Sequence, residues 1–319
     1  MPSDWIFWVA FNLFVLAMLA LDLGVLRRRK QDIGFRQAMG WTVAWVGLAG
    51  FFAVMLHWFG QTMVGSTARP NSQLSLEFIT GYVIEQSLSV DNLFIFLLIF
   101  RYFQVPRRLQ HGVLFWGVLG ALVMRAIFIF AGVALLDRFA WVSYVFGAIL
   151  IYSGIRLLRE HGAEVHPESN LLLRGFRKLF RVTPAFEEGR FFVRRDAVLY
   201  ATPLALVLVL LETTDVLFAV DSIPAVLAVT REPFIVFTSN VFAILGLRSL
   251  FFVLSGMIET FHLLHYGLSA ILVLIGAKML ASNYVQVPTV AALAAVAAIL
   301  LLSVLLSLLF PERPKAHKA

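Results

Sequence analysis

The sequence of 319 residues contains no cysteine and only a small share of charged residues. Without cysteine the chain has no disulfide, no thiolate metal ligand and no thiol redox chemistry, so a bound ion would be held by oxygen or nitrogen. Asp, Glu, Lys and Arg make up 14% of the residues, and hydrophobic residues make up 60%. Together with a mean hydropathy of +0.86, this composition excludes an ordinary soluble globule and predicts a polytopic membrane protein.

The sequence also lacks the short motifs of membrane hydrolases, such as HExxH and GxSxG, so no enzymatic activity is predicted. The formal net charge is +7. The Lys and Arg residues cluster between apolar segments, which is typical of cytoplasmic loops in membrane proteins. This distribution argues against a nucleic-acid partner.

Nine apolar segments predict an all-α fold with nine transmembrane helices. The segments cover roughly residues 5–26, 41–59, 74–100, 112–136, 139–158, 197–229, 234–258, 263–281 and 289–310. Basic clusters follow the first, third and fifth segments, and Arg313, Lys315 and Lys318 lie in the tail. Under the positive-inside rule, this pattern predicts an outside N-terminus and an inside C-terminus.

Residues 74–158 and 197–281 are predicted to be two copies of one three-helix unit. The stretch YVFGAILIYSGIRLL, which begins at Tyr144, aligns with YGLSAILVLIGAKML, which begins at Tyr266, with six identities in fifteen positions. Arg125 and Arg248 also fall midway along equivalent segments. Because each copy has an odd number of spans, the second copy should lie inverted relative to the first, as in many secondary transporters.

The other parts of the chain flank or connect these two copies. Residues 1–73 would supply two N-terminal helices, and residues 282–319 the ninth helix and a cytoplasmic tail. Residues 159–196 form a basic loop in which Leu and Phe alternate with Arg and Lys at helical spacing. This loop predicts an amphipathic helix on an anionic inner leaflet. A loop helix that packs on the membrane domain is the alternative.

One acidic pattern occurs in each copy. Residues 85–94 read EQSLSVDNLF and residues 215–224 read DVLFAVDSIP, so Glu85 and Asp91 correspond to Asp215 and Asp221. A carboxylate near the middle of a bilayer costs about 2.5–3.5 kcal/mol on insertion scales, so several of them need a compensating cation. An all-oxygen set suits Mn²⁺, Mg²⁺ or Ca²⁺, and the residue types do not separate these three ions.

The predicted roles divide the polar residues into three groups. The predicted metal ligands are Asp91, Asp221, Glu85, Asp215, Glu212 and Asn92, with Asp91 and Asp221 favoured as a symmetric pair. Auxiliary oxygens are expected from Ser89, Ser222, Thr214 and the carbonyl of Val220, which Pro224 leaves without its helical donor. Arg125, Arg248 and Glu212 are predicted to take part in ion pairing or proton coupling, since crowded carboxylates would hold protons when no metal is bound.

The spacing within each motif limits how these acids meet. Six residues correspond to about 240° around an ideal helix, so Glu85 and Asp91 do not share a face, nor do Asp215 and Asp221. One solution is that the motif helices are broken at the site, as the long run 197–229 suggests. The other is that one acid of each pair binds metal while its partner pairs with Arg125 or Arg248. Purely structural ion pairs are the competing interpretation.

The stretch from about residue 77 to residue 280, with the motifs LSVDN and ETTDVLFAVDSIPA, resembles the TerC family of integral membrane proteins. Bacterial members of the Alx type are similar to manganese exporters, and plant members act in thylakoid membrane assembly. The resemblance implies a bacterial inner-membrane exporter of Mn²⁺ with no permanently bound cofactor. Exchange of the metal for protons is expected from the crowded carboxylates, which would give up protons when a divalent ion binds. The resemblance leaves the alternative of a membrane-assembly or tellurite-resistance scaffold without transport, and the residue types leave the alternative of Ca²⁺ transport. No oligomeric state is predicted.

Overall fold

A computed structural model of the chain describes residues 4–28, 34–159, 170–187, 189–195, 198–255, 263–282, 284–285 and 287–310. Within these ranges the chain forms helices and three short strands. The helices are α1 (Asp4–Arg28), α2 (Phe35–Val64), α3 (Asn71–Tyr102), α4 (Arg107–Arg138), α5 (Val142–Arg159), α6 (Leu171–Leu179), α7 (Pro203–Leu227), α8 (Pro233–Leu254), α9 (Leu264–Leu280) and α10 (Thr289–Leu309). The strands are β1 (Arg181–Val182), β2 (Phe192–Arg195) and β3 (Val198–Ala201).

The structure confirms the prediction of a helical, polytopic membrane protein. Among the described residues, α2, α3, α4, α5, α7, α8 and α10 are long and apolar enough to cross a membrane. The apolar part of α1, Trp5–Leu21, and the whole of α9 are shorter. The described helices therefore include seven candidate spans, and the predicted count of nine is not confirmed.

A small sheet that the sequence pattern did not predict is formed by two strands of the basic loop, β1 and β2, and by β3 at the start of the apolar run 197–229. β3 lies between the other strands, parallel to β1 and antiparallel to β2. α6 lies where the amphipathic helix was predicted, and Asn170 caps it by accepting a hydrogen bond from the backbone of Leu173 at 3.0 Å. The aromatic rings of Phe176, Phe180 and Phe192 join this helix to β2.

The long apolar run 197–229 is not a broken helix. Its first part forms β3, so α7 begins at Pro203 and continues without interruption to Leu227, with Pro224 inside its last turn. A proline so close to a helix end removes one hydrogen bond and leaves most of the helix unaffected. Broken motif helices, the first of the two geometric solutions, are therefore wrong for α7, and α3 is also continuous.

The helices of the two predicted copies pack against each other, α5 on α9, α3 on α8 and α4 on α7. α5 and α9 cross so closely that only glycine fits at the crossing. A Cβ added at Gly154 would lie 2.8 Å from the carbonyl oxygen of Ser269, and one added at Gly276 would lie 2.7 Å from that of Gly147. These contacts run in opposite directions along the two helices, which are therefore antiparallel.

The apolar interior consists of two clusters of buried side chains. One contains Ile84 and Leu88 of α3 and Ala219 of α7, and the other contains Leu93 of α3 and Leu211 of α7. On both helices the boundary between the clusters falls within the acidic motif. The predicted site residues thus lie where the apolar core is interrupted.

Candidate functional site

A fully buried arginine is the centre of the candidate site. Arg125 of α4 is 1% exposed, and it donates hydrogen bonds from one nitrogen, Nη1, to Oε1 of Glu85 on α3 and, at 2.8 Å, to Oδ1 of Asn240 on α8. Its Nε and Nη2 atoms donate to the two carboxylate oxygens of Asp215 on α7, at 3.4 and 3.2 Å. One guanidinium thus joins four membrane helices.

The two acids on Arg125 are the equivalent residues of the two motifs. Glu85 is 0% exposed and Asp215 is 4% exposed. Asn240 completes the cluster because its Nδ2 donates to Oε2 of Glu85 at 3.2 Å. Buried charges are tolerated when they are paired and hydrogen-bonded. The cluster, defined as Glu85, Arg125, Asp215 and Asn240, is called the central cluster below.

α3 and α7 run antiparallel, and their register sets the heights of the acids. Thr230, just beyond α7, donates to Oε2 of Glu77 at 2.6 Å, and a Cβ added at Gly81 would lie 3.1 Å from the side chain of Val226. Continued along both helices, this register places Glu85 opposite Ser222. At a rise of about 1.5 Å per residue, Asp91 and Asp221 then differ in height by about 8 Å.

A stripe of polar side chains follows the interior face of α3 from the central cluster. Ser89 and Asn92 are four and seven residues beyond Glu85, so all three share one side of the helix. Ser89 is 0% exposed and Asn92 is 2% exposed. Across the described residues, Ser89 Oγ, Asn92 Nδ2 and Ser222 Oγ of α7 have no hydrogen-bond partner. Buried polar atoms in this state call for a functional explanation, because leaving them unpaired costs free energy.

Asp221 and Asp91, the favoured symmetric pair, are not the acids that the central cluster brings together. Asp221 is half-buried and accepts a hydrogen bond from Ser153 of α5 at 2.6 Å. Asp91 is half-buried on α3, one residue before Asn92. The symmetric pair at the centre is instead Glu85 and Asp215. Asp215 and Ser222 are seven residues apart on α7, just as Glu85 and Asn92 are on α3. Because residues seven apart lie on the same side of a helix, each acid shares the interior face of its helix with one of these buried polar residues.

Glu212 lies beside the central cluster, three residues before Asp215 on α7. Its carboxylate packs on the backbone of α4 at Gly120, where an added Cβ would clash with Oε1 of Glu212. A small cavity next to Asp215 is lined by residues of α3, α4, α7 and α8, among them Phe96 and Leu211. The site therefore has a further half-buried carboxylate and a little free space on one side of Asp215.

The remaining predicted residues lie further from the central cluster. Thr214 donates to the carbonyl of Leu210 at 2.7 Å, within its own helix. Val220 is 41% exposed, on the outer side of α7. Arg248 is half-buried on α8, eight residues beyond Asn240. In each motif one acid, Glu85 or Asp215, pairs with Arg125, which is the pairing that the second geometric solution expected.

Asn240 is the site residue to which the sequence argument assigned no role. Its counterpart in the repeat alignment is Gly117, so the duplicated pattern gives no signal there. The signal that could have found it is a buried amide in the middle of the apolar segment 234–258. Among the described residues no group of three or more His, Cys, Asp or Glu side chains is arranged to hold a metal ion. In this conformation Arg125 occupies the position from which a cation could bind both Glu85 and Asp215.

A third buried carboxylate lies on α3, about two turns before Glu85. Glu77 of α3 is 2% exposed, and it accepts hydrogen bonds from Arg69 at 2.9 Å, Gln73 at 2.9 Å and Thr230 at 2.6 Å. These contacts tie the loop after α2 to the loop after α7. The carboxylate of Glu77 already accepts three hydrogen bonds, and this favours a structural role.

The fold and the central cluster define a polytopic membrane protein with an ion-paired polar site at the contact of four helices. Residues 71–315 match the family described as Integral membrane protein TerC, and the chain belongs to this family. It is 48% identical over 303 residues to an uncharacterized membrane protein of Myxococcus xanthus, with 95% of this chain and 92% of that protein covered.

Two further relatives illustrate the range of similarity. A protein of Escherichia coli strain K12, whose name proposes a membrane-bound redox modulator, Alx, is 45% identical over 302 residues, with 94% of this chain and 93% of that protein covered. An uncharacterized membrane protein of Rickettsia bellii is 35% identical over 302 residues, with 95% of this chain and 97% of that protein covered. No solved structure matches the chain.

Proposed function

We propose that the protein is a secondary transporter that exports divalent cations, Mn²⁺ above all, in exchange for protons. It is not an enzyme in this proposal, and the metal ion is its substrate. The observation that carries the proposal is the buried polar stripe of Glu85, Ser89 and Asn92, which faces Asp215 and Ser222 between two apolar clusters. Ionisable and unpaired polar groups inside a membrane protein typically mark an ion pathway.

The ligands would come from both motif helices once Arg125 releases the acids. Glu85 and Asp215 would supply the central carboxylates, and Asp91, Asp221, Glu212 and Asn92 would supply oxygens on the way in and out. Serine hydroxyls at positions 89 and 222 would complete a hard, oxygen-only environment. Such an environment suits Mn²⁺, Mg²⁺ and Ca²⁺, and the family resemblance favours Mn²⁺ among them.

An inverted repeat of α3–α5 and α7–α9 would provide the alternating access that such transport needs. The close contacts of α5 and α9 support this arrangement. Gly154 meets Ser269, Leu272 and Val273, and Gly276 meets Gly147, Leu150 and Ile151. These two sets of contacts become identical when the repeat alignment exchanges the two copies. The antiparallel crossing of two equivalent helices is what an axis in the membrane plane would produce.

The proposed location is a bacterial inner membrane, with nine spans, the N-terminus outside and the C-terminus inside. The module of α6 and the three strands would then lie on the anionic inner leaflet. Its cations Arg174, Arg177, Lys178 and Arg194 are exposed, as are the apolar side chains of Leu172, Leu179 and Leu199. Exposed apolar and basic side chains together suit a lipid surface. β3 ends two residues before the membrane helix α7 begins, which keeps the module near the bilayer.

The name of the Escherichia coli relative gives a second way to describe the role. A redox modulator without cysteine cannot act through thiols, and this chain has none. Control of the amount of a redox-active ion such as manganese would influence redox balance without any thiol. A scaffold that assembles membrane proteins is the competing function, and it would depend on the α6 module rather than on the buried acids.

The experiment that tests the proposal compares intracellular manganese in cells with and without the protein under excess Mn²⁺. We expect lower manganese content and better growth with the protein, and loss of both effects in Asp91→Asn and Asp221→Asn variants. The exposed Asp137→Asn on α4 is the matched control and should behave as wild type. Equal manganese content with and without the protein would contradict transport, and a defect confined to variants of the α6 module would favour the scaffold.

A further inference from the structure

The guanidinium of Arg125 occupies the position of a cation between the two equivalent acids. It contacts Glu85 and Asp215 at once, although these residues lie on different helices and seven residues apart in height by the register given above. Asn240 accepts from the same guanidinium nitrogen that binds Glu85 and donates to Glu85. The side chain is therefore positioned by contacts to three other helices, in the manner of a bound ligand.

Charge balance explains why a cation is needed there. Two buried carboxylates without a counter-charge would repel each other and lose their hydration. With Arg125 in place, the three groups carry a net charge of −1 if both acids are ionised. A divalent ion on the same two carboxylates would give a net charge of 0 without Arg125 and +1 with it. Arg125 and a divalent ion therefore compete for the same carboxylate oxygens, and the two positive charges repel each other.

We propose that Arg125 is a tethered competitor of the transported ion. It occupies Glu85 and Asp215 when the site is empty, moves aside when a divalent ion binds, and returns to help release the ion. This inference rests on the proposed transport function. It assigns Arg125 a role in lowering the affinity for metal and in speeding release, in contrast to a purely structural ion pair.

The surroundings of Arg125 are suited to such an exchange. The cavity beside Asp215 borders α4 at Gly117 and Ala121, so α4 carries small side chains next to the site. Glu212 is a further carboxylate, packed on the backbone of α4 at Gly120, five residues before Arg125. A guanidinium that leaves Asp215 would therefore find another acid close by on the same side of α7. The charge of Arg125 would not have to be moved out of the protein.

The test is a graded series at position 125, measured on the purified full-length protein. Mn²⁺ affinity is determined by equilibrium dialysis for wild type, Arg125→Lys and Arg125→Gln, and turnover is determined in proteoliposomes. If Arg125 occupies the site at least nine-tenths of the time, its removal raises the apparent affinity about tenfold or more. We expect affinity to increase from wild type to Lys to Gln, because lysine lacks the fork that binds both acids. Turnover should fall in the same order.

The outcomes separate this inference from the proposed function. Metal binding and transport by wild type, with equal or weaker affinity in the variants, would overturn the role of Arg125 and leave transport intact. Absence of binding in wild type and both variants at millimolar Mn²⁺ would overturn both. If Arg125→Gln does not fold, the comparison of wild type with Arg125→Lys decides, since a merely structural arginine predicts no gain in affinity.

Discussion

Replacement of Asp215 by Asn, or of Glu85 by Gln, is expected to abolish manganese export in a protein that still inserts and folds. Each change removes one of the two carboxylates of the central cluster and leaves the other to neutralise Arg125. Loss of residues that merely support a metal ligand typically costs 10–100-fold in affinity, so loss of a ligand should cost more than about 100-fold. The measurement is Mn²⁺ binding by purified protein together with manganese resistance in cells.

The matched control is Glu77→Gln. Glu77 lies on the same helix as Glu85, is also buried, and is also bound to an arginine, Arg69. Its loss should lower thermal stability without changing the apparent affinity for Mn²⁺. If Glu77→Gln abolished export as completely as Glu85→Gln, the effect would follow from damage to buried ion pairs in general, and the central cluster would lose its special role.

Replacement of Gly276 by Ala is expected to have the largest effect on stability. The added methyl group would lie 2.7 Å from the carbonyl oxygen of Gly147, and a backbone atom cannot move away as a side chain can. Overpacking of a tight interior costs about 1–3 kcal/mol, and a forced separation of α5 and α9 would cost more. Thermal unfolding in detergent, followed by the loss of monodisperse protein, provides the measurement.

Gly154→Ala should have a similar effect, because its Cβ would lie 2.8 Å from the carbonyl oxygen of Ser269 in the equivalent contact. Gly47→Ala is the control. Gly47 lies in α2, and an added Cβ there meets nothing within 4 Å, so the substitution should be neutral or slightly stabilising. Unchanged stability in both Gly154→Ala and Gly276→Ala would contradict the close antiparallel crossing on which the repeat argument depends.

The acids of the site could be predicted from the sequence, but the way in which they pair could not. The duplicated motif identified Glu85 and Asp215 as equivalent, and both lie in the central cluster. The sequence left open whether Arg125 or Arg248 would pair with these acids. In the structure Arg125 binds both acids, because side-chain length and the antiparallel register of α3 and α7 bring them within reach of one guanidinium. A repeat pattern contains no information about which arginine reaches both acids.

Helical periodicity could have predicted the polar stripe more closely. Ser89 and Asn92 follow Glu85 at four and seven residues, and this spacing selects Glu85 over Asp91 for the interior face. The preference for Asp91 and Asp221 followed their equivalent positions in the two motifs and did not take the helical phase of these residues into account. Their role as metal ligands stays a prediction.

The small sheet shows a different limit of sequence patterns. β2 and β3 are four residues each, and Phe192, Arg194 and Arg195 are as compatible with a basic loop as with a strand. β3 also begins the apolar run that leads into α7, so hydropathy alone merges strand and helix. Only the pairing of Tyr200 of β3 with Arg181 of β1 and Val193 of β2 distinguishes strand β3 from helix α7.

The most direct test of the account is Mn²⁺ flux into proteoliposomes that contain the purified protein, measured with and without a pH gradient. We expect the wild type, but not Asp215→Asn, to move Mn²⁺ across the membrane, with proton movement in the opposite direction. Flux that does not respond to the gradient would remove the exchange with protons. No flux by a correctly folded wild type would contradict the central claim that the buried acids of two repeats carry a divalent ion across the membrane.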